Sequence, residues 1–348
     1  MFLLCCNAVY PKMIFITIVP MNNEVFPVIN STLSPNYLAV WVSAQYGFKN
    51  VECQLLKTNI NHTYRISTDS ADYILRVYNP NHRSIHDVAE EVKLLCEVKN
   101  IVSISFPVAN AKKEYIQEIN APEGNRYVVF FSFAEGKKIR QLTTALNFNI
   151  GVEVGSFHHF TGNKSIERVN YSVDILINWA YRHLARYFSE EMEEMRFIKA
   201  LEAILPDAFG KQHPTKGIVH LDIWYDNMSI RDNGIITLFD FDNCGNGWLI
   251  LDIGYYCMHL FYIEPDKEEY ERKKDAFISG YRSKNQLPDN ELELIPYAGL
   301  AIWIHYLGVA AKNFDNIANF YLSENYVKIM IARVKDWLKY HNIEVPHS

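Results

Sequence analysis

The spacing of apolar residues changes character near residue 134, and that change limits the folds open to this chain. Ahead of it, short strand-like runs follow one another: Val51 to Lys57, Thr63 to Ser67, Tyr73 to Tyr78, Glu114 to Ile119 and Arg126 to Phe133. Polar turns such as Asn59-Ile60-Asn61-His62 and Ala121-Pro122-Glu123-Gly124 separate them, as antiparallel pairing requires. Two helical patterns are added. One spans Asn36 to Tyr46 and stops at Gly47; the other opens at Ser84 or Asp87 and reaches Lys99, with Val88, Val92, Leu95 and Val98 on one face. Behind residue 134 the spacing is helical over 140–160, 172–188, 189–205, 249–263, 266–284, 290–308 and 322–340. A compact polar and strand-like stretch between Gly217 and Gly247 interrupts it. The expected class is α+β and bilobal. A small antiparallel sheet lobe, 26–133, joins a larger helical lobe, 134–348, through Ala134-Glu135-Gly136, with a cleft between the two.

Nearly half of the 348 residues are apolar, enough for a sizeable core. The formal charge of −6 argues against a general nucleic-acid binder, which needs a basic face to displace counterions. The six cysteines form no C-x-x-C pair and no zinc-ligand spacing, so reduced thiols of a cytoplasmic protein are expected. The first twenty residues are apolar, but Pro11 and Lys12 divide them, no basic residue precedes them and neither half is long enough to span a bilayer. Residues 1–25 are therefore expected to be a disordered or wrongly included extension, with Met21 as the working start. No membrane partner is expected, and the oligomeric state is left open.

The chemistry concentrates in Gly217-Ile218-Val219-His220-Leu221-Asp222-Ile223-Trp224-Tyr225-Asp226-Asn227, where a strand end delivers H-x-D-x-x-x-x-N. A second apolar run, Ile235 to Phe239, ends in Asp240-Phe241-Asp242. Phosphoryl transfer from ATP needs the γ-phosphate held in line, its charge offset by a metal ion and an acceptor hydroxyl oriented by a base. Asp222 is placed to take the hydroxyl proton, and Asn227 and Asp240 offer hard oxygen ligands to Mg²⁺.

In these motifs the chain resembles the aminoglycoside phosphotransferase and choline kinase superfamily, including its homoserine-kinase-type-II-like branch. The resemblance covers Phe26 to Tyr340 and implies a protein-kinase-like fold with a nucleotide-binding first lobe. It makes His220 and Asp252 supports of the catalytic loop, and Arg76 the strand cation that meets the nucleotide phosphates, paired with Glu91 or its neighbour Glu90. It also implies that the turn at Asn61 covers the phosphates and that Ser132 and Phe133 present backbone groups to adenine. The turn 59–62, however, lacks the glycines that let amides approach phosphate closely. His158 matches a helix histidine of the family and is expected to pack. Leu221 stands where the family usually has glycine, and the backbone there need not have positive φ.

The expected substrate is a small hydroxyl compound bearing an ammonium group, homoserine-like or another amino alcohol. Tyr255, Trp303 and His305, in a cluster with Tyr256, His259, Tyr262 and Tyr306, would supply aromatic faces and Asp242 a countercharge. Aminoglycosides and sugars are the alternative acceptors, and a silent nucleotide-binding scaffold the alternative class. A protein kinase fits less well: Asp240 is followed by Phe-Asp-Asn, and no A-P-E segment follows.

Overall fold

The structure, a computed structural model, describes residues 26–58, 60–80, 82–314 and 321–345. The extension expected at 1–25 and Asn59 of the first turn lie outside them. Helix α1 (Pro35–Tyr46) ends at Gly47 in the left-handed conformation, with φ 72°. Strands β1 (Glu52–Thr58), β2 (His62–Ser67) and β3 (Asp72–Val77) lead into α2 (Ile85–Val98), and β4 (Ile116–Ala121) and β5 (Gly124–Ser132) follow. The sheet runs β1-β2-β3-β5-β4 and is antiparallel throughout. Alternation divides it into two faces. Tyr64, Ile66, Leu75, Val77, Val128 and Phe130 pack under Leu38 and Val42 of α1. Ile74, Val129 and Phe131 face the other way, into the core that includes α2. Both candidate caps of α2 act at once: Ser84 accepts from the Asp87 amide while the Asp87 carboxylate accepts from the Ser84 amide.

The second lobe begins with α3 (Thr144–Thr161) and α4 (Trp179–Leu184), the latter entered through a π-helical turn at Asp174–Asn178. Next come α5 (Glu193–Gln212), β6 (Lys216–Val219), β7 (Met228–Ile230), β8 (Ile236–Leu238) and β9 (Gly245–Trp248). Helices α6 (Ile250–Ile263), α7 (Lys267–Arg282), α8 (Asp289–Leu292), α9 (Ile295–Lys312) and α10 (Glu324–Tyr340) complete it. The helix expected over 290–308 is two pieces. Pro296 has no amide hydrogen to give and its ring excludes the carbonyl four residues back, so α9 starts afresh at Ile295. Helices α3 and α7 touch through glycine: a Cβ on Gly151 would lie 2.0 Å from the Phe277 carbonyl oxygen, and one on Gly280 2.0 Å from that of Phe148. Among the described residues no helix is long and apolar enough to cross a membrane.

Candidate active site

The loop after β6 is fixed from below by one carboxylate. Asp252, in the first turn of α6, accepts from the amides of His220 (2.8 Å) and Leu221 (2.7 Å) and from His158 Nε2 (3.0 Å). It is fully buried, and these three donors repay the desolvation that burial imposes. His158 Nδ1 in turn meets the Tyr281 hydroxyl at 3.0 Å, which ties the loop to the α3–α7 contact. Leu221 does adopt positive φ, 68°, as the glycine usual at this point of the family would. Its amide is drawn to Asp252 while its side chain is fully buried in the core, and the two demands are met together only in the left-handed region. His220 is held neutral by burial, which pushes its pKa down; Nε2 donates to the Phe239 carbonyl at 3.1 Å and Nδ1 accepts the Asp222 amide at 3.2 Å.

Asp222 emerges from this loop into the cleft. Asn227 Nδ2 donates to Asp222 Oδ2 at 2.7 Å and the Tyr255 hydroxyl to Oδ1 at 3.3 Å. Burial, then the charge of Asp240, pushes the carboxyl up to about 7, while Asn227, Tyr306 and Lys57 pull it back. Asp240 itself has φ 67° and accepts Arg76 Nη2 at 2.9 Å. Arg76 Nη1 reaches Glu91 at 2.9 Å, and Glu91 also accepts the Tyr78 hydroxyl. Of the two neighbouring glutamates it is therefore Glu91 that meets the strand cation; Glu90 accepts the Glu167 amide instead. Asp222, Asn227, Asp240 and Arg76 so converge on one cleft. A cavity of about 400 Å³, lined by Leu56, Ile74, Phe131, Phe133, Asn227 and Asp240 among others, opens into it. A smaller one of about 220 Å³ includes Asp222, Asn243, Tyr306 and Val309. The two share Lys57, Thr63, Arg76 and Asp240.

The profile of the phosphotransferase enzyme family (APH) matches residues 52–287. The chain belongs to this family. It is a small-molecule phosphotransferase that acts on hydroxyl groups. Amicoumacin kinase of Bacillus subtilis is 23% identical over 265 residues, 73% of this chain and 78% of that protein. A homoserine kinase of Bradyrhizobium diazoefficiens is 21% identical over 263 residues, 74% of this chain and 77% of that protein. Among solved structures, amicoumacin kinase hAmiN in complex with AMP-PNP, Ca²⁺ and Ami aligns with a TM-score of 0.71 at 20% identity, over 88% of this chain and 94% of that one. A microcompartment-associated aminopropanol kinase aligns with a TM-score of 0.66 at 17% identity, over 89% of this chain and all of that one.

Of the residues expected at this phosphotransferase's ligands, some line the cavities and others stand elsewhere. Ser132 has both backbone groups spent inside the lobe, its amide on the Phe106 carbonyl and its carbonyl on the Ser105 hydroxyl. Only Phe133 of that pair lines the larger cavity. Asn61 borders the smaller cavity, with its side-chain oxygen on the Asn79 amide. Asp242 borders the smaller cavity, as expected, but is not a free countercharge. Although burial works against its ionised form, Arg83 at 3.2 Å and His82 at 2.9 Å hold it well below the usual carboxylate range, so its charge is already matched. Trp303 and His305 are both buried and line neither cavity: Trp303 packs on His259 and Tyr262, His305 on Trp179 and Tyr171. Tyr255 lines neither cavity and touches the site through its hydroxyl on Asp222 and its ring stacked on Tyr306. Tyr306 of the same aromatic cluster does line the smaller cavity, and so does Lys57, which sequence reasoning passed over. For Tyr306 a signal exists: it stands one helical turn from Ile302 on the buried face of α9 yet carries a hydroxyl.

Proposed function

We propose that the protein transfers the γ-phosphoryl group of ATP, with Mg²⁺, to the hydroxyl of a small amine-bearing alcohol. The single observation that carries this reading is the smaller cavity of about 220 Å³ with Asp222 in its wall, joined to the larger one at Asp240 and Arg76. Pockets for drug-sized ligands run from roughly 300 Å³ upward, so the acceptor side suits a metabolite. The larger cavity, with Ile74, Phe131 and Phe133 in its walls, suits the nucleotide base and leads to Arg76 at its polar end.

The donor set fits a magnesium ion. Asp240 offers a carboxylate and Asn227 an amide oxygen, and such an ion completes its shell with phosphate oxygens and water. When bound, it offsets the charge of the transferring group. Asp222 would hold the acceptor hydroxyl and take its proton as the new oxygen–phosphorus bond forms. Asn227, bonded to Asp222 Oδ2, orients that carboxylate. Arg76, held by Glu91, keeps Asp240 in register between the cavities.

The test is ADP release from ATP and Mg²⁺ with aminopropanol, ethanolamine, choline and homoserine, compared with neutral sugars and kanamycin. An amino alcohol should give the highest kcat/KM. A neutral sugar ahead by more than about tenfold would refute the amine preference, since one lost charge-assisted contact is worth about that much. ATP binding with no ADP release from any acceptor would favour the silent scaffold and sink the proposal.

A further inference from the structure

The phosphate end of the cleft has fewer available cations than its composition suggests. Arg76 spends one terminal nitrogen on Glu91 and the other on Asp240, each at 2.9 Å. Lys138, at the rim of the larger cavity, is paired with Asp226 at 2.9 Å. No glycine stands between Thr58 and His62 to let backbone amides close on a phosphate. Lys57 is the exception. It is exposed, it lines both cavities, and its side chain makes no hydrogen bond or ion pair among the described residues.

Its position depends on an irregularity of the strand. In a regular β1, residue 57 would share the face of Cys53 and Leu55, which pack against the core beneath α1. The register instead slips between Leu55, opposite Tyr64, and Lys57, opposite Thr63. Thr63 lies opposite Arg76 in the next pair. The bulge so turns Lys57 from the core face to the cleft face, in line with Thr63 and Arg76. From there its charge reaches Asp222.

We propose that Lys57 is a catalytic residue of this phosphotransferase, its ammonium holding the γ-phosphoryl group as it passes from the larger cavity to the smaller. The inference rests on the phosphotransferase reading and extends it. The bond from γ-phosphorus to the β–γ bridging oxygen breaks as the bond to the acceptor oxygen forms. The hydroxyl proton goes to Asp222 and the bridging electron pair stays with ADP; Lys57 remains protonated throughout. A flexible ammonium with three donors can follow the moving group, which a guanidinium fixed by two carboxylates cannot.

Contact with the γ-phosphoryl group has a signature that a structural role lacks: it discriminates AMP-PNP from ADP. Titration calorimetry of Lys57→Met should show AMP-PNP affinity reduced about tenfold or more and ADP affinity within about twofold of the parent. With the best acceptor of the panel, kcat should fall about a hundredfold, and Lys57→Arg should recover much of it. Equal loss of both nucleotides, or no loss of either, would overturn the role of Lys57 and leave the phosphotransferase reading intact. Failure of the parent protein to bind AMP-PNP would overturn both.

Discussion

Asp252 is a fully buried carboxylate and Asp222 a half-buried one of the same loop system, and their surroundings suit them to different tasks. Asp252 is surrounded by donors that favour its charge, two of them backbone amides. Asp222 has one amide donor and one longer contact to Tyr255, with Asp240 nearby raising the cost of its charge. A carboxylate kept basic in this way suits a proton acceptor. Asp222→Asn should therefore lower kcat about 10²–10⁴-fold in steady-state assays while ATP affinity hardly changes. Near-normal turnover would remove Asp222 from its role. Asp252→Asn should behave differently. An amide there turns one donor group toward the His158 ring or the loop amides, leaving buried groups unmatched. Folding stability should drop by about 3 kcal/mol, read by denaturant unfolding, with kcat lowered as the loop loosens. If stability were unchanged, the loop would have some other anchor.

At the scale of elements, Leu221 shows how two local preferences compete. A non-glycine residue in the left-handed region costs about 1 kcal/mol or more, but burying leucine in a core repays more than that. Leu221→Gly should relieve the strain and forfeit the burial, a net loss of about 1–3 kcal/mol. Leu221→Ala forfeits most of the burial and keeps the strain, so alanine should be no better than glycine, against the usual order of the two. A thermal melt in which the alanine variant is clearly the more stable would refute the strain. The sequence announced the partners at this site better than their conformations. His220, Asp222, Asn227 and Asp240 could be located because their chemistry needs fixed spacings, and α2 because Ser84 and Asp87 are capping residues ahead of a clean apolar stripe. The left-handed Leu221 was half hidden: a leucine gives no sign of positive φ, and the glycine usual there in the family was the only hint. The bulge that redirects Lys57 was hidden too, because alternation placed that residue on the core face. Trp303 and His305 were misplaced for the opposite reason: aromatic spacing on a helix marks a buried face and does not say what lies against it.

The molecule as a whole joins a sheet lobe, whose cleft face carries Arg76 and Lys57, to a helical lobe that fixes Asp222, Asn227 and Asp240. The Arg76–Asp240 and Arg83–Asp242 pairs cross between them. The helical lobe also contains buried histidines that line neither cavity, and these set how its stability responds to acid. His305 is 7% exposed, with Nδ1 donating to the Ile175 carbonyl at 3.3 Å. Burial, reinforced by the charges of Arg83 and Lys312, pushes its pKa down to about 4, with the Ile175 carbonyl opposing. Because the folded value lies below the ordinary one near 6.5, the unfolded chain takes up the proton first as pH falls. The stabilising contribution is thus complete above about pH 6.5 and is lost on the way down to pH 4. At pH 5 the loss amounts to about 2 kcal/mol from this residue alone. Buried carboxylates matched to cations, Asp242 foremost, weaken only at lower pH, because Arg83 and His82 keep Asp242 ionised below the usual range. Between pH 7.5 and 5 the decline should therefore be dominated by histidine. His305→Asn keeps a donor near the Nδ1 position and cannot take up a proton. The decisive measurement is the difference in denaturation midpoint between those two pH values for the parent and the variant. The variant should start lower at pH 7.5, from the lost ring packing against Trp179 and Tyr171, yet lose visibly less on acidification. An equal loss in both proteins would mean that His305 takes up its proton in the folded state as readily as in the unfolded one.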